Sequence, residues 1–432
     1  MTPTQLHWLL GFSDPGLGVG WNPRASHAAR WRLGRMRALL GLSGDPDRRM
    51  RVVLIAGTKG KGSTAAFLAS ILHVAGVRAG LFTSPHLQIF RERVRIDGAM
   101  LSAADFELAV AALRPVVTRL RRAHPSAGDP TTYELTLALA LRTFAREGCT
   151  VAIIEVGLGG RLDASNALDP ALSVLTPVSR DHTAILGRSL ARIATEKAGI
   201  LRSGRPALSA LQRPTALAAI RGAARAAGAD LELVRPLGVQ SQLALTGEHQ
   251  RQNAALAVAA ARALAAVGVA ISERAYSDGL RGAIWPARFE RVHPTSGRPT
   301  VILDGAHNDG SAAALAKTLR RERRARRLVV VVGINSDKDA RAVLRPLAGI
   351  ASAIVATRSE SPRAAAPEAV ARTAARLTRR PIDVAPSIEA ALAIARARAG
   401  RTGLVCVTGS VALAGEARTV LGLPPDERWW SD

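Results

Sequence analysis

Aromatic residues are scarce in this chain, at 3% of 432 positions. Proteins that hold single-stranded nucleic acid stack bases on aromatic rings, so that class is disfavoured from the outset. Cysteine is nearly absent. Cys149 and Cys406 lie far apart, each beside or inside an apolar run ("CTVAIIEV", "GLVCVTGS"). Two buried free thiols in a reducing compartment are therefore expected. Lysine is rare too: five of the 59 basic residues, the rest being arginine. No apolar run reaches membrane-spanning length and no basic-then-apolar segment opens the chain, so the expectation is a cytoplasmic protein with no membrane partner.

The charge that is present is strongly positive, +25. A nucleic-acid binder and an enzyme for polyanionic small molecules both fit it. Basic runs such as "RERRARR" (321–327) carry no interleaved aromatics, which favours a solvated face and an expectation of no nucleic-acid partner. With 48% hydrophobic residues over this length, two or three packed domains are expected.

Short β-branched runs alternate with alanine- and leucine-rich amphipathic segments. "RVVLIAG" (51–57), "RAGLFT" (78–83), "TVAIIEVG" (150–157), "LSVLTPV" (172–178) and "PALSA" (206–210) read as strands. The segments near 62–76, 103–123, 131–147, 214–227, 248–267 and 272–281 read as helices. The proline- and glycine-rich "WPARFERVHPTSGRPT" then marks a linker at about 293–299. A second alternation follows, from "TVILDG" to "GLVCVTGS". The predicted fold is α/β with two doubly wound domains. Residues 1–293 form a larger N-terminal P-loop-type ATPase domain with a mostly parallel sheet, and 299–432 a smaller Rossmann-like domain. Ligands of such sheets bind beyond the carboxyl ends of the strands. The loops to read are therefore "GTKGKGS", "TSPHL", "EVGLGGRLDASN", "SRDHT", "LDGAHN" and "TGS".

"IAGTKGKGS" does not spell the strict phosphate loop, because Ile55 stands where the first glycine belongs. The physical ingredients are nevertheless there. Gly57, Gly60 and Gly62 permit a tight turn after a strand. A helix is expected from about Ser63, with its positive end facing the loop, and Lys61 can reach phosphates. Two of the five lysines fall here, which favours phosphate binding over an empty glycine turn. Glu155 ends an apolar strand, where a carboxylate is costly to bury without a cation; a magnesium ligand and a strand-end salt bridge both remain open. His182 is expected at the same sheet edge as a ligand candidate. Asp304 and His307 follow the first strand of the second domain and would face the same crevice.

The series "GTKGKGS", "FTSPHL", "TTYELT", "EVGLGGRLDASN", "DHTAILG", "EKAGI", "HQRQNAALA", "WPARFE", "LDGAHN", "SDKD" and "TRSESPRA" resembles, in order, the motifs of the folylpolyglutamate synthase/dihydrofolate synthase family of the Mur ligase superfamily, bifunctional bacterial type. The likeness runs from about residue 30 to about residue 415. It implies an ATP-dependent ligase that activates a carboxylate of a folate or dihydropteroate as an acyl phosphate and joins it to L-glutamate. ATP, Mg2+ and a monovalent cation such as K+ are the implied cofactors. A monomer is implied because one chain supplies both walls of the crevice.

Residue by residue, the resemblance implies that Thr58, Lys59, Gly60, Lys61, Gly62 and Ser63 cradle the phosphates, with Asn253, Arg288 and Asp304 as further nucleotide contacts. Ser84, Glu155 and His182 would hold the metal. Lys197 would be carbamylated, and Lys61, Lys197, His182 and His307 would act in catalysis. Thr131, Leu162, Asp163 and Ala164 would touch the pterin. Three other readings are weaker: a cell-wall amide ligase, which would need a domain ahead of the loop; a nucleic-acid-stimulated ATPase; and a non-catalytic relative.

Overall fold

The computed structural model describes residues 4–12, 26–293, 298–323 and 326–425. Residues 294–297 of the expected linker, 324–325 of the basic run and 13–25 of the leading segment lie outside the described residues.

Two sheets organise the chain. The first holds β1 (Arg51–Ala56), β2 (Ala79–Phe82), β3 (Val94–Ile96), β4 (Ala99–Met100), β5 (Val151–Glu155), β6 (Leu172–Leu175), β7 (Pro206–Ala210) and β8 (Asp230–Val234). Their order is β4-β3-β2-β5-β1-β6-β7-β8, parallel except for the β2–β3 and β3–β4 pairs. The second holds β9 (Glu290–Val292), β10 (Thr300–Leu303), β11 (Leu328–Val332), β12 (Ala353–Ala356), β13 (Ile382–Val384) and β14 (Leu404–Thr408). Its order is β13-β12-β11-β14-β10-β9, with β9 alone antiparallel to its neighbour. The α/β class with two mainly parallel sheets is as expected.

The continuous apolar runs follow from burial of both faces of each sheet. Val52, Leu54 and Ala56 of β1 pack into one core, Val53 and Ile55 into the opposite one. In β11, Leu328, Val330 and Val332 face one layer while Val329 and Val331 face the other. Helix Lys61–Val74 is buried along most of its length beneath helices Gln250–Ala266 and Glu273–Gly282. That packing anchors the glycine-rich loop at the start of the helix.

Some elements differ from expectation. The helix over 103–123 is two helices, Ala103–Ala111 and Arg114–Ala123, because Pro115 belongs in a first turn and cannot continue a helix. The β3–β4 hairpin, β8 and β9 add strands. No described helix is long and apolar enough to cross a membrane.

Candidate active site

The helix begins at Lys61, two residues earlier than expected, with Gly60 at its N-cap. Gly60 holds φ 85°, a left-handed conformation that disfavours any side chain. A Cβ there would also sit 2.2 Å from Asn253 Oδ1. Asn253, itself buried, thus packs directly against the loop. With no side chain capping the helix, its first N–H groups face the loop, as an anion site requires.

The loop is tied to the segment after β6. The Thr58 and Lys59 amides donate to the Pro177 carbonyl at 3.1 and 3.3 Å. Thr58 Oγ1 donates to the Ser179 carbonyl at 3.0 Å and accepts from the Ser179 amide at 3.1 Å. This segment carries His182, which adopts φ 48°, strained for a residue other than glycine. Burial brings the His182 imidazole down to about 4 against the pull of Asp181, with Lys338, Lys61 and Lys197 adding to the fall. It is therefore neutral at pH 7, the form that binds metals.

Glu155 lies at the end of β5, 6% exposed. Lys61 Nζ is 3.5 Å from its Oε1, and the Ser84 amide donates to Oε2 at 3.4 Å. Burial pushes the Glu155 carboxyl up, while Lys61, the Ser84 amide and Arg288 pull it back. Lys197 is 5% exposed and donates from Nζ to the Gly57 carbonyl at 2.8 Å. Burial, reinforced by the charge of Lys61, brings its amine down to about 7 despite Asp181 and Asp163.

The second sheet supplies the facing wall. Asp304 Oδ2 accepts from the Phe289 amide and Oδ1 from the Ala306 amide, each at 2.9 Å. Burial raises its carboxyl and Arg288 opposes that rise. His307 Nδ1 donates to the Gly305 carbonyl at 2.9 Å, which leaves Nε2 as the acceptor. Burial brings this ring to about 4.

Asp181 spans the seam. Its Oδ1 accepts from Lys338 Nζ at 2.8 Å and its Oδ2 from Asn308 Nδ2 at 3.0 Å. Burial alone would raise its carboxyl, but His182, Lys338 and His307 hold it well below the ordinary range. Lys59 reaches the same wall: its Nζ is 3.9 Å from Asp309 Oδ1, and a Cβ on Gly310 would lie 1.5 Å from it. A cavity at the seam is lined by Gly62, Ser84, Glu155, Arg288 and Gly305, with Trp285 at its edge. Sequence reasoning did not single out Asp181, Asn308 or Lys338. All three sit inside motifs it had quoted, Asp181 and Asn308 directly beside the chosen His182 and His307, and Lys338 in "SDKD", where no residue had been chosen.

Thr131, Leu162, Asp163 and Ala164 form a neighbouring patch. Thr131 Oγ1 accepts from the Glu134 amide at 3.1 Å as a helix cap, and Glu134 is paired with Arg35 at 2.9 Å. Asp163 accepts from Ser165 Oγ at 2.6 Å, Tyr133 OH at 3.2 Å and the Leu158 amide at 2.8 Å. Its carboxylate thus orders the loop after β5, while Leu162 is 37% exposed. Tyr133 joins this patch to the crevice, since its hydroxyl oxygen lies 3.4 Å from the Glu155 carbonyl and accepts from the Gly157 amide at 3.0 Å. Among the described residues, no group of three or more His, Cys, Asp or Glu side chains is placed to hold a metal. The expected metal set does not require one, because Ser84 supplies its third member.

Residues 55–227 match the Mur ligase middle domain, and 287–411 match the Mur ligase glutamate ligase domain. The dihydrofolate synthase/folylpolyglutamate synthase of Bacillus subtilis is 37% identical over 357 residues, covering 77% of this chain and 82% of that protein. The chain belongs to the dihydrofolate synthase/folylpolyglutamate synthase family. Mycobacterium tuberculosis folylpolyglutamate synthase complexed with ADP and AMPPCP superposes with TM-score 0.85 at 32% identity, over 91% of this chain and 96% of that one. A bifunctional folylpolyglutamate synthase/dihydrofolate synthase with Mn, AMPPNP and L-glutamate bound gives TM-score 0.79 at 29% identity, over 90% and 94%. Family membership makes this chain an ATP-dependent ligase, and ATP with a divalent metal belongs to its chemistry.

Proposed function

We propose that this crevice joins the amino group of L-glutamate to a carboxylate of a folate, and likewise to dihydropteroate, while ATP is cleaved to ADP and phosphate. The observation that carries the reading is an uncapped helix start and the Lys61–Glu155 pair beside a cavity that Glu155 and Ser84 line together with Arg288 and Gly305, while Lys338 from the second sheet holds Asp181 next to His182.

Thr58 to Ser63 hold the phosphates, with Lys61 placed against the charge that builds up during transfer. Asn253 acts on the nucleotide through its packing on Gly60, and Arg288 and Asp304 complete its contacts. The donor set suits a hard divalent cation: a buried carboxylate, a hydroxyl and a neutral imidazole. Ser84, Glu155 and His182 would hold Mg2+, which when bound neutralises phosphate charge. The substrate carboxylate attacks the γ-phosphorus and displaces ADP. The neutral amine of glutamate then attacks the acyl carbon, the C–O bond to phosphate breaks, and the one proton shed by the nitrogen passes to the departing phosphate, giving an amide and hydrogen phosphate. The bare Nε2 of His307 is available to relay that proton.

Lys197, with its depressed basicity, is carbamylated in the working enzyme. Thr131, Leu162, Asp163 and Ala164 shape the pterin side. Residues 1–293 serve as the nucleotide and pterin half and lend β9 to the second sheet; 299–432 serve as the glutamate half. The protein acts as a cytoplasmic monomer on small molecules, with a monovalent cation such as K+ as an additional cofactor. The test is phosphate release from ATP with each substrate withheld in turn. Release should need both L-glutamate and the pterin carboxylate for full rate. Release that ignores both would sink the proposal.

A further inference from the structure

A second basic pocket lies at the opposite end of the first sheet. It is a cavity of 340 Å³ formed where the segment before β1 meets helices Ala103–Ala111 and Thr132–Arg146. Arg49, Arg142 and Arg146 line it above an apolar floor that includes Ala109, Ala112 and Leu139. Arg49 precedes β1 and Arg146 precedes β5, so the pocket is at the amino ends of the strands whose carboxyl ends carry the phosphate loop and Glu155. One strand length, roughly 20 Å at about 3.3 Å per residue, separates the two regions.

The carboxylates nearest in sequence to Arg49 and Arg146 are already engaged. Asp45 and Asp47 are both taken by Arg37. Glu147 is shared between Arg146 at 3.0 Å and Arg78 at 3.3 Å. Among the described residues neither Arg49 nor Arg142 meets a carboxylate. Arg142 is half-buried, and burial together with the like charge of Arg119 lowers its pKa. Arg119 is itself held by the segment that precedes the lining residue Ser43, its Nη2 donating to the Leu42 carbonyl at 2.8 Å. A half-buried guanidinium facing another cation, with no anion opposite, is an arrangement that an incoming anion would relieve. Guanidinium forks pair with carboxylate or phosphate through two parallel bonds, and the volume is that of a small-molecule site.

We propose that this pocket binds a small polyanion with clustered oxygens, separately from the catalytic crevice. A phosphate chain and a short chain of γ-linked glutamates share that chemistry. The proposal does not depend on the reading of the crevice.

The test is titration calorimetry on the full chain with the phosphate loop saturated by Mg-ADP. One arm uses tripolyphosphate and the other tri-γ-glutamate. The expected result is one equivalent bound in at least one arm, which also identifies the source. That binding should weaken at least tenfold in both Arg142→Gln and Arg49→Gln, with kcat unchanged in both. Arg49 is exposed, so its variant remains informative even where Arg142→Gln disturbs the fold. Lack of binding in both arms, or binding that neither substitution weakens, overturns the proposal; the latter would be diffuse attraction to a highly cationic surface.

Discussion

Lys197 offers the sharpest quantitative handle on the site. Its amine is sealed at 5% exposure, bonded to the Gly57 carbonyl, and brought down to about 7 by burial and the charge of Lys61. Carbamylation joins a neutral amine to CO2, forming an N–C bond and releasing one proton, so its extent follows the neutral fraction. With a midpoint of about 7, roughly 90% of Lys197 is neutral at pH 8 and about 9% at pH 6. A lysine at 10.5 would be only about 0.3% neutral at pH 8, a disadvantage of roughly 300-fold. In 13C-bicarbonate at pH 8 the protein should therefore show one carbamate carbonyl resonance that fades about tenfold by pH 6 and is absent in Lys197→Ala. That variant should turn over slowly and be partly restored by short carboxylic acids, which replace the lost anion. A protein with no carbamate resonance at pH 8, together with no rescue, would refute the reasoning.

Lys61→Ala should lower kcat by about 100-fold or more, since a preorganised cation at the transferring phosphoryl group is removed; steady-state kinetics at saturating ATP checks this, and a wild-type rate would remove Lys61 from catalysis. Gly60→Ala must place a side chain at φ 85° and against Asn253, so it should cost on the order of 1–2 kcal/mol of stability and weaken ATP binding, read by denaturant melts and nucleotide titration. His307 should titrate with a midpoint near 4 by NMR. The fold favours its neutral form, so its contribution to stability is complete above about 6.5 and falls as pH drops towards 4; a midpoint near 6.5 would contradict its burial.

The sheet strands and the loops at their carboxyl ends were legible because burial of both faces leaves continuous β-branched runs such as "RVVLIA" and "LVVVV". The β3–β4 hairpin was missed although Asp97-Gly98, with φ 48° and 80°, is a typical hairpin turn. Its strands are too short to show a period. β8 was missed because much of it is exposed at the sheet edge. Within the site, Lys61 and Glu155 were readable from chemistry and position. Asp181 with Lys338 was not, because that bond joins residues 157 positions apart across two sheets. The perturbed amine of Lys197 was likewise invisible, since it depends on burial by distant segments; only the family motif pointed to it.

The most direct test of the central claim is the product itself. The purified protein would be incubated with Mg-ATP and L-glutamate, in separate tubes with dihydropteroate and with a reduced folate monoglutamate, and the pterin species weighed by mass spectrometry. A gain of one glutamyl residue in both tubes is the predicted result. No gain in either tube, while ATP is still cleaved, would contradict it.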